Sequence, residues 1–347
     1  MRISPIVLTN ISFKQPSFCA IPEKPDWSAK HISNLSKIQK YPVKVVFSDI
    51  DGTAVYNDEP TDENKRAIAR LKEMGIPLVF VTGRNLVSAQ PALDAFGVKP
   101  DYLITEQGAV IFKDGKEFSK KTLDLEDAKE IIRFADEYKK KDPSTQLLLT
   151  FDNQAYIQGK QVVGGEGHLA SSTKVVGSFD GLLAKGLPTK AVFVKAGAKC
   201  NEDLQDLRGF LGERLGSRYL NIFNSGKCYE VISGAASKAI AVQEVARDMG
   251  IELKNATALG DAENDLPMIK LMNEADGLSI AMGNAVPELK DHASVITDSA
   301  QESGFARAIG AISFGSRSLI NYPFRPNPTA VHSLSSFPLY APRNLRA

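Results

Sequence analysis

The sequence predicts an α/β fold: a doubly wound, mostly parallel sheet into which a separate α+β module is inserted. Three observations carry this. Apolar strands alternate with amphipathic helices from Val43 to Thr105, the same alternation resumes at Lys238, and hairpin-like pieces lie between. A chain of 347 residues is long enough for two domains, each with its own core. The predicted parts are a flexible arm over 1–40, a core assembled from 41–111 and 229–312, an insert over 112–228, and an irregular basic tail over 313–347.

Charge narrows the partners. Lys plus Arg is 42 and Asp plus Glu is 41, so a net charge of +1 gives no field to attract nucleic acid or an anionic membrane. No apolar stretch is long enough to cross a bilayer. The three cysteines, Cys19, Cys200 and Cys228, form no CxxC pair, which points to a reducing compartment and a cytoplasmic location. The arm has no acidic residue before Glu23 and carries Arg2 and Lys14, so an organelle-targeting segment is the weaker alternative. Beyond Glu302 the chain has five arginines and no acid, and oligomeric state is not legible.

The first strand is the run Val45-Val46-Phe47, apolar on both faces and therefore buried. It stops at Asp49 and Asp51, and Gly52 lets the chain turn away. Thr61 is placed to cap a helix with Asp62 and Glu63 in its first turn, where the helix dipole favours anions, and Gly75 ends it. Residues 76–82 form the second strand and close on Thr82-Gly83-Arg84. Asn85 starts a helix that Gly97 ends, and residues 102–105 form a third strand running into Glu106-Gln107-Gly108-Ala109. In the insert, Asp114-Gly115 marks a hairpin turn. A helix fits 125–141, another 201–211, and strands fit 147–151, 155–158, 192–194, 222–223 and 229–232. After Lys238 come a helix to Gly250, a strand at 257–259, a helix through Leu271, and strands at 278–281 and 295–297.

Ligands of an open parallel sheet bind beyond the carboxyl ends of its strands, where the acids of this chain collect. Asp261, Glu263 and Asp265 alternate after the 257–259 strand, but Leu266 and Met272 stand where a calcium loop needs Gly and Glu. Neighbouring strands would bring Asp49, Asp51 and Asp261 together, and carboxylates so placed repel unless a cation intervenes. Hard oxygen ligands with room for water suit Mg²⁺. Thr82 offers a hydroxyl and Gly83 exposes backbone N–H groups, a pattern that holds phosphate oxygens. Lys238 opens a helix against the dipole, so it calls for a nearby anion.

With these four blocks in order, Asp49-Ile50-Asp51-Gly52-Thr53, Val81-Thr82-Gly83-Arg84, Lys238 and residues 260–265, the chain resembles the haloacid dehalogenase superfamily of phosphohydrolases. The position of the insert and the run Ala281-Met282-Gly283-Asn284-Ala285 are similar to its Cof-like subgroup. The resemblance covers roughly 43–312. It implies a Rossmann-like core under an α/β cap, and an Mg²⁺-dependent phosphatase acting on a small phosphorylated metabolite such as a sugar phosphate. In that reading Asp49 is the nucleophile that becomes an aspartyl phosphate, and Asp51 is the general acid and then base. Asp49, Asp261 and Asp51, the last through its backbone carbonyl, hold the metal. Thr82, Gly83, Arg84, Lys238 and Asn264 bind phosphate or substrate, and Asp265 supports Lys238 and the metal shell. Asp51 favours phosphoryl transfer over dehalogenation, which needs no proton donor. Similar proteins carry Asn where this chain has Gln107. A sugar phosphomutase and a non-catalytic metabolite-binding protein are the alternatives. Hinges are expected near 113–115 and 226–234. The glycine-rich run 164–168 reads as a flexible loop, and His168 and His292 as bystanders.

Overall fold

The computed structural model describes residues 30, 31, 38, 41–159, 172–195, 205–216, 218, 220–224 and 228–315. The first half of the core runs β1 (Val45–Ser48), α1 (Asp62–Glu73), β2 (Leu78–Val81), α2 (Leu86–Phe96) and β3 (Tyr102–Thr105). A hairpin, β4 (Val110–Lys113) and β5 (Lys116–Lys120), follows. The second half runs α6 (Lys238–Asp248), β12 (Ala256–Gly260), α7 (Leu266–Glu274), β13 (Leu278–Ala281), α8 (Pro287–His292), β14 (Val295–Ile296) and α9 (Gly304–Gly315).

These strands make one eight-stranded sheet in the order β14-β13-β12-β1-β2-β3-β4-β5. All pairings from β14 to β3 are parallel, and the β3–β4–β5 edge is antiparallel. β1 is central, flanked by β12 and β2, with Phe47 opposite Ala258 and Val79. All four β1 residues are buried, as a strand with helices on both faces requires. The chain leaves β1 toward β2 and returns later to β12 on the other side. The sheet order therefore reverses at β1, and crevices for ligands open at such reversals. Local chemistry sets the helices as expected: the Thr61 and Asn85 side chains cap α1 and α2 by accepting from Asn64 and Ser88 amides.

The insert holds α3 (Leu125–Lys141), β6 (Thr145–Phe151), β7 (Gln154–Gln158), β8 (Thr173–Val176), α4 (Asp180–Leu183), β9 (Lys190–Lys195), α5 (Gln205–Leu215), β10 (Leu220–Asn224) and β11 (Cys228–Ser233). Its six strands form a second sheet, β10-β11-β9-β6-β7-β8. A separate apolar core lies against it, where Phe134 of α3 meets Phe193 of β9 edge-to-face at 5.5 Å.

The structure moves both expected insert boundaries. β5 lies beyond position 112 yet belongs to the core sheet, and β11 runs from 228 to 233 yet belongs to the insert sheet. Sheet membership is decided by the partner strand, and a hairpin strand reads alike whichever sheet it joins. The chain crosses between sheets around 120–125 and 233–238. The expected hinge at 113–115 is therefore the tight turn of the β4–β5 hairpin, with Asp114 and Gly115 both left-handed. The helix expected at 201–211 is α5, described from Gln205 to Leu215; 201–204 lie outside the described residues. Within the arm read as flexible, Ile38 is buried in the core and His31 bridges Ile296 at the β14 edge. The 164–168 run, Cys19, Cys200, His168 and the tail from 316 lie outside the described residues. No helix among the described residues is long and apolar enough to cross a membrane.

Candidate active site

Asp49 is the first residue beyond β1, and Asp261 the first beyond β12, so the parallel pairing of these strands places both acids at one end of the sheet. Gly52, at φ 75°, turns the chain back. A Cβ at Gly52 would run into the Asp261 carboxylate, so only glycine lets the two loops close up. Thr53 Oγ1 donates to Asp261 Oδ1 at 3.0 Å, and Asn284 Nδ2 donates to Asp261 Oδ2 at 3.2 Å. Neither role is visible in the motifs, although both residues stand inside quoted runs.

Lys238 enters from the first turn of α6, with Ser237 as the N-cap. Its side chain is fully buried, and Nζ donates to Asp49 Oδ1 at 2.5 Å and to Asp265 Oδ1 at 2.7 Å. Asp265 Oδ2 accepts from the Asp261 and Ala262 amides at 2.9 and 3.1 Å. Asp265 thus clamps the acid loop and the lysine together. Burial pulls the Lys238 ammonium down, but Asp265 and Asp49 outweigh it and hold it above an ordinary lysine. Breaking a buried pair of this kind costs roughly 3–5 kcal/mol, because the remaining charge is stranded.

One carboxylate oxygen from each of Asp49, Asp261 and Asp265 lies within 4.8 Å of the others. Asp51 is not in this cluster. Its carboxylate turns toward Arg84, whose Nε donates to Asp51 Oδ2 at 2.8 Å and whose Nη2 donates to Asp51 Oδ1 and Asp58 Oδ1. Arg84 Nη1 donates to the Ser88 carbonyl at 3.1 Å. The guanidinium expected on phosphate is therefore engaged by two carboxylates and a carbonyl, and its geometry fits a holder of Asp51. Charge-assisted pairs in which a guanidinium meets both oxygens of a carboxylate are among the stronger hydrogen bonds.

The acid cluster fits a divalent cation. Three carboxylates share one ammonium in a buried place, which leaves negative charge uncompensated. Burial first, then Asp265, pushes the Asp261 carboxyl up to about 7. Burial also drives Asp49 well above the usual carboxylate range; Lys238 opposes this, while Asp265, Asp261 and Asp51 add to it. A hard cation with oxygen ligands would relieve both groups.

Thr82 is buried at the end of β2, and its Oγ1 accepts from the Arg84 amide at 3.1 Å, leaving the hydroxyl proton for another acceptor. Asn264, in the acid loop, turns its amide to the segment after β3. Its Nδ2 donates to Gln107 Oε1 at 3.1 Å, and Gln107 Nε2 in turn donates to Glu230 Oε2. Glu230 belongs to β11 of the insert, so the acid loop is tied to the second sheet. Among the described residues His292 stays on the surface, bonded to the Glu288 carbonyl.

A family profile described as haloacid dehalogenase-like hydrolase matches residues 46–309. The chain is 30% identical to the 5-amino-6-(5-phospho-D-ribitylamino)uracil phosphatase YcsE of Bacillus subtilis over 271 residues, covering 77% of this chain and 94% of that protein. It is 28% identical to the HMP-PP phosphatase of Klebsiella pneumoniae, covering 74% and 90%. A haloacid dehalogenase-like hydrolase of B. subtilis superposes with a TM-score of 0.65 at 22% identity, covering 77% of this chain and 99% of that one, which speaks to the fold alone. The chain belongs to the haloacid dehalogenase-like hydrolases, and is an enzyme of the phosphatase type.

Proposed function

We propose that the protein is an Mg²⁺-dependent phosphatase that hydrolyses a small phosphorylated metabolite, a sugar phosphate or similar phosphomonoester, through an aspartyl phosphate on Asp49. The observation that carries this is the placement of Asp49 at the end of the central strand, 2.5 Å from Lys238 Nζ and beside Asp261. Asp49 and Asp261, with the Asp51 backbone carbonyl, would hold Mg²⁺, which supplies charge neutralisation for a carboxylate approaching a phosphate.

The chain's own residues account for the rest. Asp49 attacks phosphorus, and the P–O bond to the alcohol breaks as Asp51 gives its proton to the leaving oxygen. Water then attacks the aspartyl phosphate, Asp51 takes the proton, inorganic phosphate leaves, and Asp49 is restored. Lys238 and the Thr82 hydroxyl face the charge that builds on the phosphoryl oxygens. Arg84 fixes the rotamer of Asp51, so the acid waits in one orientation. The insert serves as the cap, supported by its contacts to the Gly83 and Gln107 loops.

The test is hydrolysis of an aryl phosphate and a panel of sugar phosphates by purified protein with Mg²⁺ or with EDTA. Turnover that needs Mg²⁺ and vanishes in Asp49→Asn is the expected result. A wild-type protein inert across the panel with Mg²⁺ present overturns the reading.

A further inference from the structure

Away from the acids, one buried ion pair is not used by the mechanism above. Lys190 opens β9 and Glu230 sits mid-strand in β11, both on the insert; their side chains are 3% and 7% exposed, and Nζ to Oε1 is 2.7 Å. Lysine and glutamate are almost never this buried without a reason. Stability is a poor one, since apolar residues of the same volume usually do as well or better.

The pair faces the core. Lys190 Nζ also donates to the Gly83 carbonyl at 2.5 Å, inside the loop that follows β2. Glu230 Oε2 accepts from Gln107 Nε2, and Gln107 hands the chain on to Asn264. Lys190, Glu230, Gln107 and Asn264 thus form one hydrogen-bonded line from the insert to the acid loop, with a side branch to Gly83. The line ends on Asn264 Oδ1, which is buried and has no hydrogen-bond partner. Gln107 and Glu230 press directly on Gly83, where an added Cβ would meet both.

The receiving segment is strained. Glu106, Gln107 and Gly108 are three consecutive left-handed residues, at φ 53°, 59° and 95°. L side chains rarely adopt this conformation, so Glu106 and Gln107 are held there by their surroundings. This conformation sends the Glu106 and Gln107 amides to the Arg84 and Thr82 carbonyls at 2.9 and 3.1 Å, and packs Gly108 against the Ser237 carbonyl beside Lys238. One short turn therefore touches the Thr82 loop, the start of α6 and the acid loop together. From the insert, the Lys190–Glu230 line holds Gln107, and the Thr189 hydroxyl donates to Glu106 Oε2.

We infer that Lys190 and Glu230 are positioning residues: seated on the Gly83 carbonyl and Gln107, they hold the phosphate loop in its working geometry only while the insert rests on the core. The inference deepens the phosphatase reading, and one arm of its test does not depend on turnover. Lys190→Met with Glu230→Gln removes both charges at nearly constant volume; the buried Glu106 also loses Lys190 as a facing cation, and burial favours its neutral form. Glu230→Gln alone keeps an acceptor for Lys190 and is the milder companion, which carries the same criteria if the double variant does not fold.

Expected for either variant is a wild-type circular dichroism spectrum and faster hydrogen exchange at the Glu106 and Gln107 amides, with exchange in β12 and β13 unchanged. With an aryl phosphate, kcat falls about 10- to 100-fold, the scale of an ångström-sized misplacement, while KM moves less. Exchange at Glu106 and Gln107 equal to wild type overturns the inference whether or not the protein hydrolyses anything. Wild-type kcat in a folded variant of an active enzyme also overturns it. A wild-type chain inert on all phosphates fails the phosphatase reading alone, and the exchange arm then decides.

Discussion

Arg84 holds the carboxylate of Asp51 with two nitrogens, Nε at 2.8 Å from Oδ2 and Nη2 on Oδ1, while Asp58 and the Ser88 carbonyl hold the guanidinium from behind. The arginine is buried and its partner acid is nearly half exposed, so the fixed member is Arg84 and the aimed member is Asp51. Arg84→Lys keeps the charge but loses the planar fork. Its kcat should fall by about 10²-fold, the scale of a misplaced general acid, on a sugar phosphate. The loss should be much smaller on an aryl phosphate, whose leaving group needs no proton. Steady-state kinetics on the two substrates checks this, and equal losses would assign Arg84 to phosphate binding.

Asp49→Asn should separate activity from stability. Turnover should drop by roughly 10³-fold or more, as when a covalent nucleophile is lost. Burial holds the Asp49 carboxyl well above its ordinary range, so its ionised form is a burden on the metal-free fold. The neutral amide removes that burden and leaves Lys238 its bond to Asp265. Thermal melting in EDTA should show the variant at least as stable as wild type.

Metal binding should couple to pH through Asp261. Burial and then Asp265 raise its carboxyl from the ordinary carboxylate range to about 7. A folded-state pKa above the unfolded one means that the protonated acid favours the fold, so the metal-free protein loses stability as pH rises through about 7. Mg²⁺ needs the ionised acid and should restore what is lost. The rise in melting temperature caused by saturating Mg²⁺ should therefore be larger at pH 8 than at pH 6. With Mg²⁺ held at one concentration, about 100 times Kd at pH 8, the gain there is roughly 2.7 kcal/mol, and it is smaller at pH 6 where binding is weaker. An equal shift at both pH values would remove Asp261 from the metal shell.

Gly52→Ala should damage the metal site at a distance. The new methyl would meet the Asp261 carboxylate, and φ of 75° is unfavourable for alanine. Strain of roughly 1–2 kcal/mol is expected in the fold. Isothermal titration should show Mg²⁺ affinity falling by more than tenfold, while Gly75→Ala, also left-handed but in open space, leaves it unchanged.

Much of the site was legible because each block is local. A strand that ends in Asp-x-Asp-Gly, or a lysine that opens a helix, announces itself within a few residues. The gathering of Asp49 and Asp261 at one end of the sheet, and the need of Lys238 for a nearby anion, could be framed from such runs. Lys190 and Glu230 could not, since 40 positions separate them and each reads as an ordinary charged residue in a strand. The faint signal was a lysine at the head of the apolar run Ala191-Val192-Phe193-Val194.

On its own, the sequence determined which residues end the parallel strands and therefore which chemistry gathers at one edge of the sheet, because capping, turning and strand burial act over a few positions. Only the tertiary structure decided which partner other charges take: Arg84 for Asp51 and Glu230 for Lys190. It also decided which sheet claims β5 and β11. Charge and strand pairing depend on distance in space, and that distance is set by sheet order and by the two crossings between sheets, which no local run of residues encodes.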